Sequence, residues 1–267
     1  MSLGSALADI DHLETLALGT SPVHRLHPRA KLLTTIAYIV TVISFPSQKV
    51  SGLAPFFFYP AILMSLSGTP YKPLLTRLLA ALPFSLMGGI SNLVFIRGTA
   101  FSVGSLTVTL GMVSCVSILL KTLLTVFAVL LLIATTSFIE ISRQLTALGM
   151  PKILSLQLVM TYRYLSVLAG EADSMFTAYI LRSGGQKGIR MKDMGSFLGQ
   201  LMLRSFDRAE RVYQAMKCRG FEGMYRGTVK AGFRPADYGY TLALMGMMLF
   251  LRFFNLSVFA GGLLQAP

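Results

Sequence analysis

The chain has 267 residues, 54% of them hydrophobic and only 13% charged, with a mean hydropathy of +0.65. Soluble chains carry about 25% charged residues, so an ordinary soluble domain is excluded. The formal charge of +13 is accompanied by neither a zinc-finger nor an RRM-type aromatic motif, so membrane lipid and acidic proteins, not nucleic acid, are the expected partners.

From the N-terminus, residues 1–30 contain Asp9, Asp11 and Glu14 and lack the basic segment and long apolar core of a secretory signal, so no cleaved leader is expected. The first apolar run, residues 32–45, stops at Pro46. A second, 50–66, contains Pro55 and Pro60 and leads into Gly68-Thr69-Pro70, so the two predict a helical hairpin. The third run, 74–96, holds Pro83 and the Gly88-Gly89 pair, which permit a kink or a close helix approach in a membrane. Residues 106–137 form the fourth run and 238–264 the last, after Gly232-Phe233-Arg234-Pro235. About 20 apolar residues make one crossing. The prediction is an all-α polytopic membrane protein with about five transmembrane helices.

Charge sets the orientation, because Lys and Arg are retained on the cytoplasmic side. With the N-terminus inside, Arg25, Arg29, Lys31, Lys72, Arg77 and fifteen Lys/Arg between Phe138 and Asp237 collect on the inner side, against Lys49 and Arg97 outside. The chain thus divides into 1–137 (first four spans), 138–237 (a cytoplasmic helical region) and 238–267 (last span). Lys121 and Arg252 fall inside apolar runs. There a charge either serves function or snorkels and faces the bundle interior.

The cytoplasmic region changes to helical periodicity. A short helix over 139–148 stops at Gly149-Met150-Pro151, a long one covers 152–181, and a third covers 196–217. In the third, Leu198, Leu201, Met202, Phe206, Val212 and Met216 recur on one face while Arg204, Asp207, Arg208, Arg211 and Lys217 lie mainly on the other. The long helix and this one, both with apolar faces, must pack on each other, on the membrane domain, on lipid or on a partner. The long helices end alike, at Leu181-Arg182-Ser183-Gly184 and Cys218-Arg219-Gly220, each with one arginine in the last turn followed by glycine. That pattern fits helix capping. It also fits a guanidinium offered to a carboxylate in a groove of another protein.

Enzyme chemistry has no positive sign. Gly184-Gly185-Gln186-Lys187-Gly188 lacks the P-loop spacing, and no Gly-x-Ser-x-Gly or His-Glu-x-x-His motif is present. His24-x-x-His27 has no nearby Cys or third ligand, so neither a metal site nor a cofactor is expected. Cys115 in an apolar run and Cys218 in the basic stretch predict no disulfide.

Three segments together resemble a known family. They are Ser21-Pro22-Val23-His24-Arg25-Leu26-His27-Pro28-Arg29-Ala30-Lys31-Leu32-Leu33, the Arg208-Ala209-Glu210-Arg211-Val212-Tyr213-Gln214-Ala215-Met216 stretch with Cys218-Arg219-Gly220-Phe221-Glu222-Gly223, and Arg182. The likeness is to the transmembrane T component of energy-coupling-factor (ECF) transporters, in its CbiQ-like cobalt branch. The resemblance implies a multi-pass protein of a bacterial or archaeal inner membrane that is not itself an enzyme. It implies docking on ATP-binding ABC ATPase subunits, CbiO-like, through Arg182, Ser183, Gly184, Cys218, Arg219 and Gly220. It further implies transmission of their motion to a CbiM-like substrate-binding S component, with a small CbiN-like subunit as a further partner. Leu181 and Cys218 depart from the family's usual Ala before the arginine. Cobalt is the expected substrate, with nickel or a vitamin as alternatives. A conventional ABC permease with its own substrate path, using Lys121 and Arg252, is the competing class.

Overall fold

The computed structural model describes residues 14–46, 50–95, 99–103, 106–184, 188–223 and 232–253. Helices dominate, as apolar runs that must satisfy every backbone group internally in lipid require. Two compact units emerge, one from Leu16–Ser137 with Lys230–Pro267 and one from Met1–Thr15 with Phe138–Val229.

The first unit begins with α1 (Pro22–Arg25) and α2 (Pro28–Ile43), each opened by proline in its first turn, where the missing N–H costs nothing. His27 caps α2, its Nδ1 accepting from the Arg29 N–H at 3.2 Å. A 3₁₀ segment (Ser51–Phe57) carries Pro55 and runs into α3 (Phe58–Ser67), which ends on Gly68 at φ +65°. The long α4 (Tyr71–Phe95) follows. A two-stranded antiparallel ribbon, β1 (Thr99–Val103) and β2 (Leu106–Thr109), then joins it to α5 (Leu110–Thr135). The fourth apolar run thus opens as a strand, consistent with its β-branched Thr107-Val108-Thr109, and becomes helix only where Thr109 Oγ1 accepts from the Met112 N–H. The described part of the last run is α9 (Pro235–Phe253). Its remainder, 254–264, lies outside the described residues, as do Lys49 and Arg97.

The architecture is that of an all-α membrane protein. Among the described residues, Tyr71–Leu93, Leu110–Thr135 and Lys152–Arg182 are long and apolar enough to cross a bilayer, and Gly52–Ser67 is a shorter apolar helix. Side chains such as Phe84 (84% exposed) and Met87 (75%) project outward from α4, as lipid-facing groups do. Inside, Tyr38 stacks on Tyr59 at 4.3 Å and donates to the Phe56 carbonyl at 2.9 Å. Around this pair pack Val42, Leu53, Leu63, Leu124, Leu131 and Met248. On α4 and α5, Asn92 Nδ2 donates to Ser114 Oγ at 2.9 Å, and a Cβ on Gly89 would meet Cys115 Sγ at 2.6 Å. Gly89 therefore permits the close helix approach expected of a glycine pair in a membrane run.

The N-terminal lead-in is held at the junction of α2, α5 and α9. Lys31 Nζ donates to the Thr135 carbonyl at 2.7 Å. His24 Nε2 faces the carbonyls of Leu16 (3.1 Å) and Ala134 (3.4 Å), which only accept; Nε2 therefore carries the proton, and Nδ1 accepts from Ser21 Oγ at 2.7 Å. Asp237 accepts the His27 N–H at 2.8 Å and the Arg234 N–H at 2.8 Å, one on each carboxylate oxygen, while the His27 ring stacks on Phe233 at 4.8 Å. At the far end of α2, Lys121 of α5 donates to the carbonyls of Ile43 and Phe45, and Arg252 of α9 donates to Ser44.

The second unit is built on α6 (Phe138–Ala147), α7 (Lys152–Arg182) and α8 (Met191–Cys218). Gly149 at φ +107° makes the α6–α7 turn, and Ser155 Oγ donates to the Ser142 carbonyl at 3.0 Å. Phe138 stacks on Tyr162 at 4.9 Å, and the Tyr162 hydroxyl donates to the Glu14 carboxylate. α8 starts a turn earlier than its apolar periodicity indicates, because Asp193 in its first turn is held by Tyr179 and Arg190.

Candidate functional site

The helix tips at Arg182 and Arg219 close through backbone N–H groups and, at α7, the Ser183 hydroxyl. At the end of α7, the Ser183 N–H donates to the Tyr179 carbonyl at 2.9 Å, Ser183 Oγ donates to the Ile180 carbonyl at 3.1 Å, and Gly184 takes φ +71°. At the end of α8, the Phe221 N–H reaches the Met216 carbonyl at 3.0 Å and the Gly220 N–H reaches that of Lys217 at 2.9 Å, with Gly220 at φ +77°. This is a glycine-centred Schellman closure. Arg182 is the last helical residue of α7, whereas Arg219 stands one position past α8. Both guanidinium groups are exposed, and no hydrogen bond or ion pair holds either among the described residues. Cys218 is an exposed free thiol beside Arg219.

Arg182 and Ser183 line a depression of about 670 Å³ together with Tyr179, Arg190, Asp193 and Arg204. Within it, Tyr179 Oη donates to Asp193 Oδ2 at 2.7 Å and Arg190 Nε donates to the same oxygen at 2.8 Å. These two donors, Tyr179 first, hold the Asp193 carboxyl below its usual acidity range, and Asp193 in turn raises Arg190. Further along the pair, Glu171 of α7 accepts from Arg204 and lies 3.9 Å from Arg208, both on α8.

Beyond those polar ties, the two helices leave an apolar groove of about 540 Å³. From α8 come Met202, Phe206, Val212 and Met216, four of the six residues predicted to share a face. From α7 come Leu156, Met160, Tyr164 and Leu168, and Phe221 closes one end. Leu198 and Leu201 lie outside the groove's lining, and Leu198 is exposed. No residue of α8 is buried. The α7 contribution was not singled out from sequence, although its four residues recur at four-residue steps, a readable helical stripe. The Glu171–Arg204 tie had no local signal, since its partners are far apart in the chain.

No group of three His, Cys, Asp or Glu placed to hold a metal occurs among the described residues. His24 and His27 spend ring nitrogens on Ser21, backbone carbonyls and the Arg29 N–H. Lys121 and Arg252, the charges that a substrate path was expected to use, are engaged at the end of α2.

Comparison with known proteins adds family information. Residues 19–230 match the model of the CbiQ family, described as cobalt transport protein. The chain is 27% identical to the energy-coupling factor transporter transmembrane protein EcfT of Bacillus subtilis, over 88% of this chain and 95% of that one. It is 29% identical to EcfT of Thermotoga maritima, over 91% and 94%. A putative fused cobalt transport protein CbiMQ of Methanocorpusculum labreanum is 25% identical over 86% of this chain and 39% of its own length.

Proposed function

This chain belongs to the CbiQ cobalt transport protein family, and from that premise we propose that it is the membrane-embedded coupling (T) component of an ECF-type importer. In this reading α6, α7 and α8 lie on the cytoplasmic side of an inner membrane, where the excess of Lys and Arg in 138–237 favours them. Although α7 is long and apolar enough to span a bilayer, it serves as a coupling helix. ATP is bound and hydrolysed by CbiO-like partner subunits. A separate CbiM-like S component holds the substrate, and a small CbiN-like subunit accompanies it.

One observation carries the reading. Two long helices end in closed tips, α7 through the Ser183 N–H and Oγ and α8 through the Gly220 and Phe221 N–H groups, and no hydrogen bond or ion pair among the described residues uses the guanidinium groups of Arg182 and Arg219. A planar guanidinium at a rigid tip suits a carboxylate in a groove of another protein. Closure of the ATPases on ATP moves the tips, and the apolar groove between α7 and α8, with Met202 and Phe206 exposed, passes that displacement to the S component. Coupling requires that the two ATPase states differ in their contact free energy with the tips. Cobalt is the substrate favoured by the family description and by the CbiMQ relative.

The test is co-purification and transport in the assembled complex. Arg182→Ala with Arg219→Ala is expected to lower ATPase association by at least about tenfold, the scale for truncating one partner of a buried charge pair, and to abolish cobalt uptake. Wild-type uptake by the double variant rejects the assignment.

A further inference from the structure

The end of α2 remote from His27 carries positive charge that the coupling role does not use. Lys121 Nζ, from α5, donates to the carbonyls of Ile43 and Phe45. Arg252 Nη2, from α9, lies 3.1 Å from Ser44 Oγ and 3.4 Å from the Ser44 carbonyl, and its guanidinium sits 4.5 Å above the Phe45 ring. A helix C-terminus offers roughly half a negative charge, against two full cations here. No salt bridge among the described residues involves either side chain. Among the described residues Arg252 Nη1 is buried without a hydrogen-bond partner, and an ammonium with three donors keeps one after serving two carbonyls.

Helix lengths place this pair in depth. α2 has 16 residues, roughly 24 Å at 1.5 Å per residue, against a hydrocarbon core of about 30 Å. Its first turn is level with Thr135 and its last with Lys121, so α5 runs on toward Leu110 for roughly 16 Å beyond the tip of α2. A hydrocarbon core of about 30 Å entered at Thr135 ends near residue 115 of α5, which leaves the cations roughly 9 Å inside its boundary. A charge there requires an anion or a local thinning of the leaflet.

We infer that Lys121 and Arg252 form a binding site for the phosphate of a phospholipid drawn down beside the tip of α2. Arg252 Nη2, whose contact with Ser44 is exposed and which carries a second hydrogen, and the remaining Lys121 proton donate to its oxygens, neutralising the pair. A free phosphate has the same oxygens. The lipid is favoured by the apolar surface on the same helix, where Val40 is 61% and Ile43 60% exposed, since this surface accepts acyl chains that a free anion lacks. The inference rests on the chain being a membrane protein and is independent of the coupling role.

The test is native mass spectrometry of the full chain purified in detergent with added phosphatidylglycerol. Wild-type protein is expected to retain bound phosphatidylglycerol roughly tenfold better than Lys121→Gln with Arg252→Gln, the scale of one charge-assisted contact. Glutamine removes each charge while keeping an amide donor; circular dichroism and thermal melting verify the fold. Lys121→Arg retains the lipid. Retention that persists in millimolar inorganic phosphate assigns the lipid, whereas displacement by inorganic phosphate overturns the lipid assignment in favour of the free anion. Should the double variant not fold, the two single glutamine variants are compared. Retention equal to wild type in every folded glutamine variant overturns the site.

Discussion

Lys31 and Lys121 cap each other's helices: Lys31 of α2 donates to the Thr135 carbonyl at the end of α5, and Lys121 of α5 donates to the Ile43 carbonyl at the end of α2. The two helices are antiparallel, so each lysine meets the negative end of its neighbour's dipole. Sliding one helix past the other by a residue, about 1.5 Å, would stretch both bonds together. The reciprocal pair therefore fixes register along an apolar contact that by itself is tolerant of slippage.

This gives an ordering of stabilities. Lys31 is 3% exposed, so Lys31→Met leaves the Thr135 carbonyl with nothing to replace the bond and is expected to cost about 2 kcal/mol. Lys121 is only partly buried and shares its carbonyl cluster with Arg252, so Lys121→Met costs less. Thermal unfolding in detergent checks the order, and a smaller loss at Lys31 than at Lys121 contradicts it.

The α7–α8 junction has a defined pH dependence. Tyr179 and Arg190 hold the Asp193 carboxyl below its ordinary range. A depressed folded value means that the contribution is fully present above the unfolded value, about 3.9, and disappears as pH falls through the lower folded one. Between pH 5 and 8 the wild-type junction is therefore constant. Asp193→Asn removes the charge at every pH, so hydrogen exchange of 188–193, normalised for intrinsic rate, is expected to rise at pH 7. Wild-type protein approaches the variant only in strong acid.

What was legible in the sequence is what depends on neighbours in the chain. Apolar runs fixed where α2, α4 and α5 lie, and Gly68, Gly149, Gly184 and Gly220 mark turns because each takes a positive φ that other residues disfavour. Lys121 and Arg252 stood out as charges inside apolar runs. Their partners did not, since the acceptors are backbone carbonyls at 43–45, and a carbonyl is the same group at every residue. The apolar stripe of α7, Leu156, Met160, Tyr164 and Leu168, is as periodic as that of α8, but which two stripes face one groove depends on the helices' pairing in space. The first turn of α8 was also hidden, because it depends on Tyr179 meeting Asp193 across the intervening turn.

Two glycines of α8 and its tip are expected to respond with opposite sign. Gly199 lies in the helix interior, and among the described residues none comes within 4 Å of the place a Cβ would take, so Gly199→Ala stabilises by about 0.5–1 kcal/mol through lower unfolded-state entropy. Gly220 has equal room, but its φ of +77° penalises any Cβ by roughly 1–2 kcal/mol. Gly220→Ala should therefore fray the last turn, misplace Arg219 and weaken ATPase association with the guanidinium still present. Melting curves and co-purification of the two variants separate backbone closure from side-chain chemistry.

The tip and the groove of α8 carry different jobs in the proposed coupling, and Phe206 distinguishes them. Its ring is 61% exposed and lines the groove, so Phe206→Glu costs the isolated chain little packing. A carboxylate there must be desolvated whenever an apolar partner seats against α8, a penalty of several kcal/mol. The expected outcome is loss of the S component from the purified complex with the ATPases still bound, the reverse of the arginine variants. If Phe206→Glu instead releases the ATPases while α8 remains helical by circular dichroism, groove and tip act as one surface, and the lever in which motion enters at Arg219 and leaves through Phe206 is wrong.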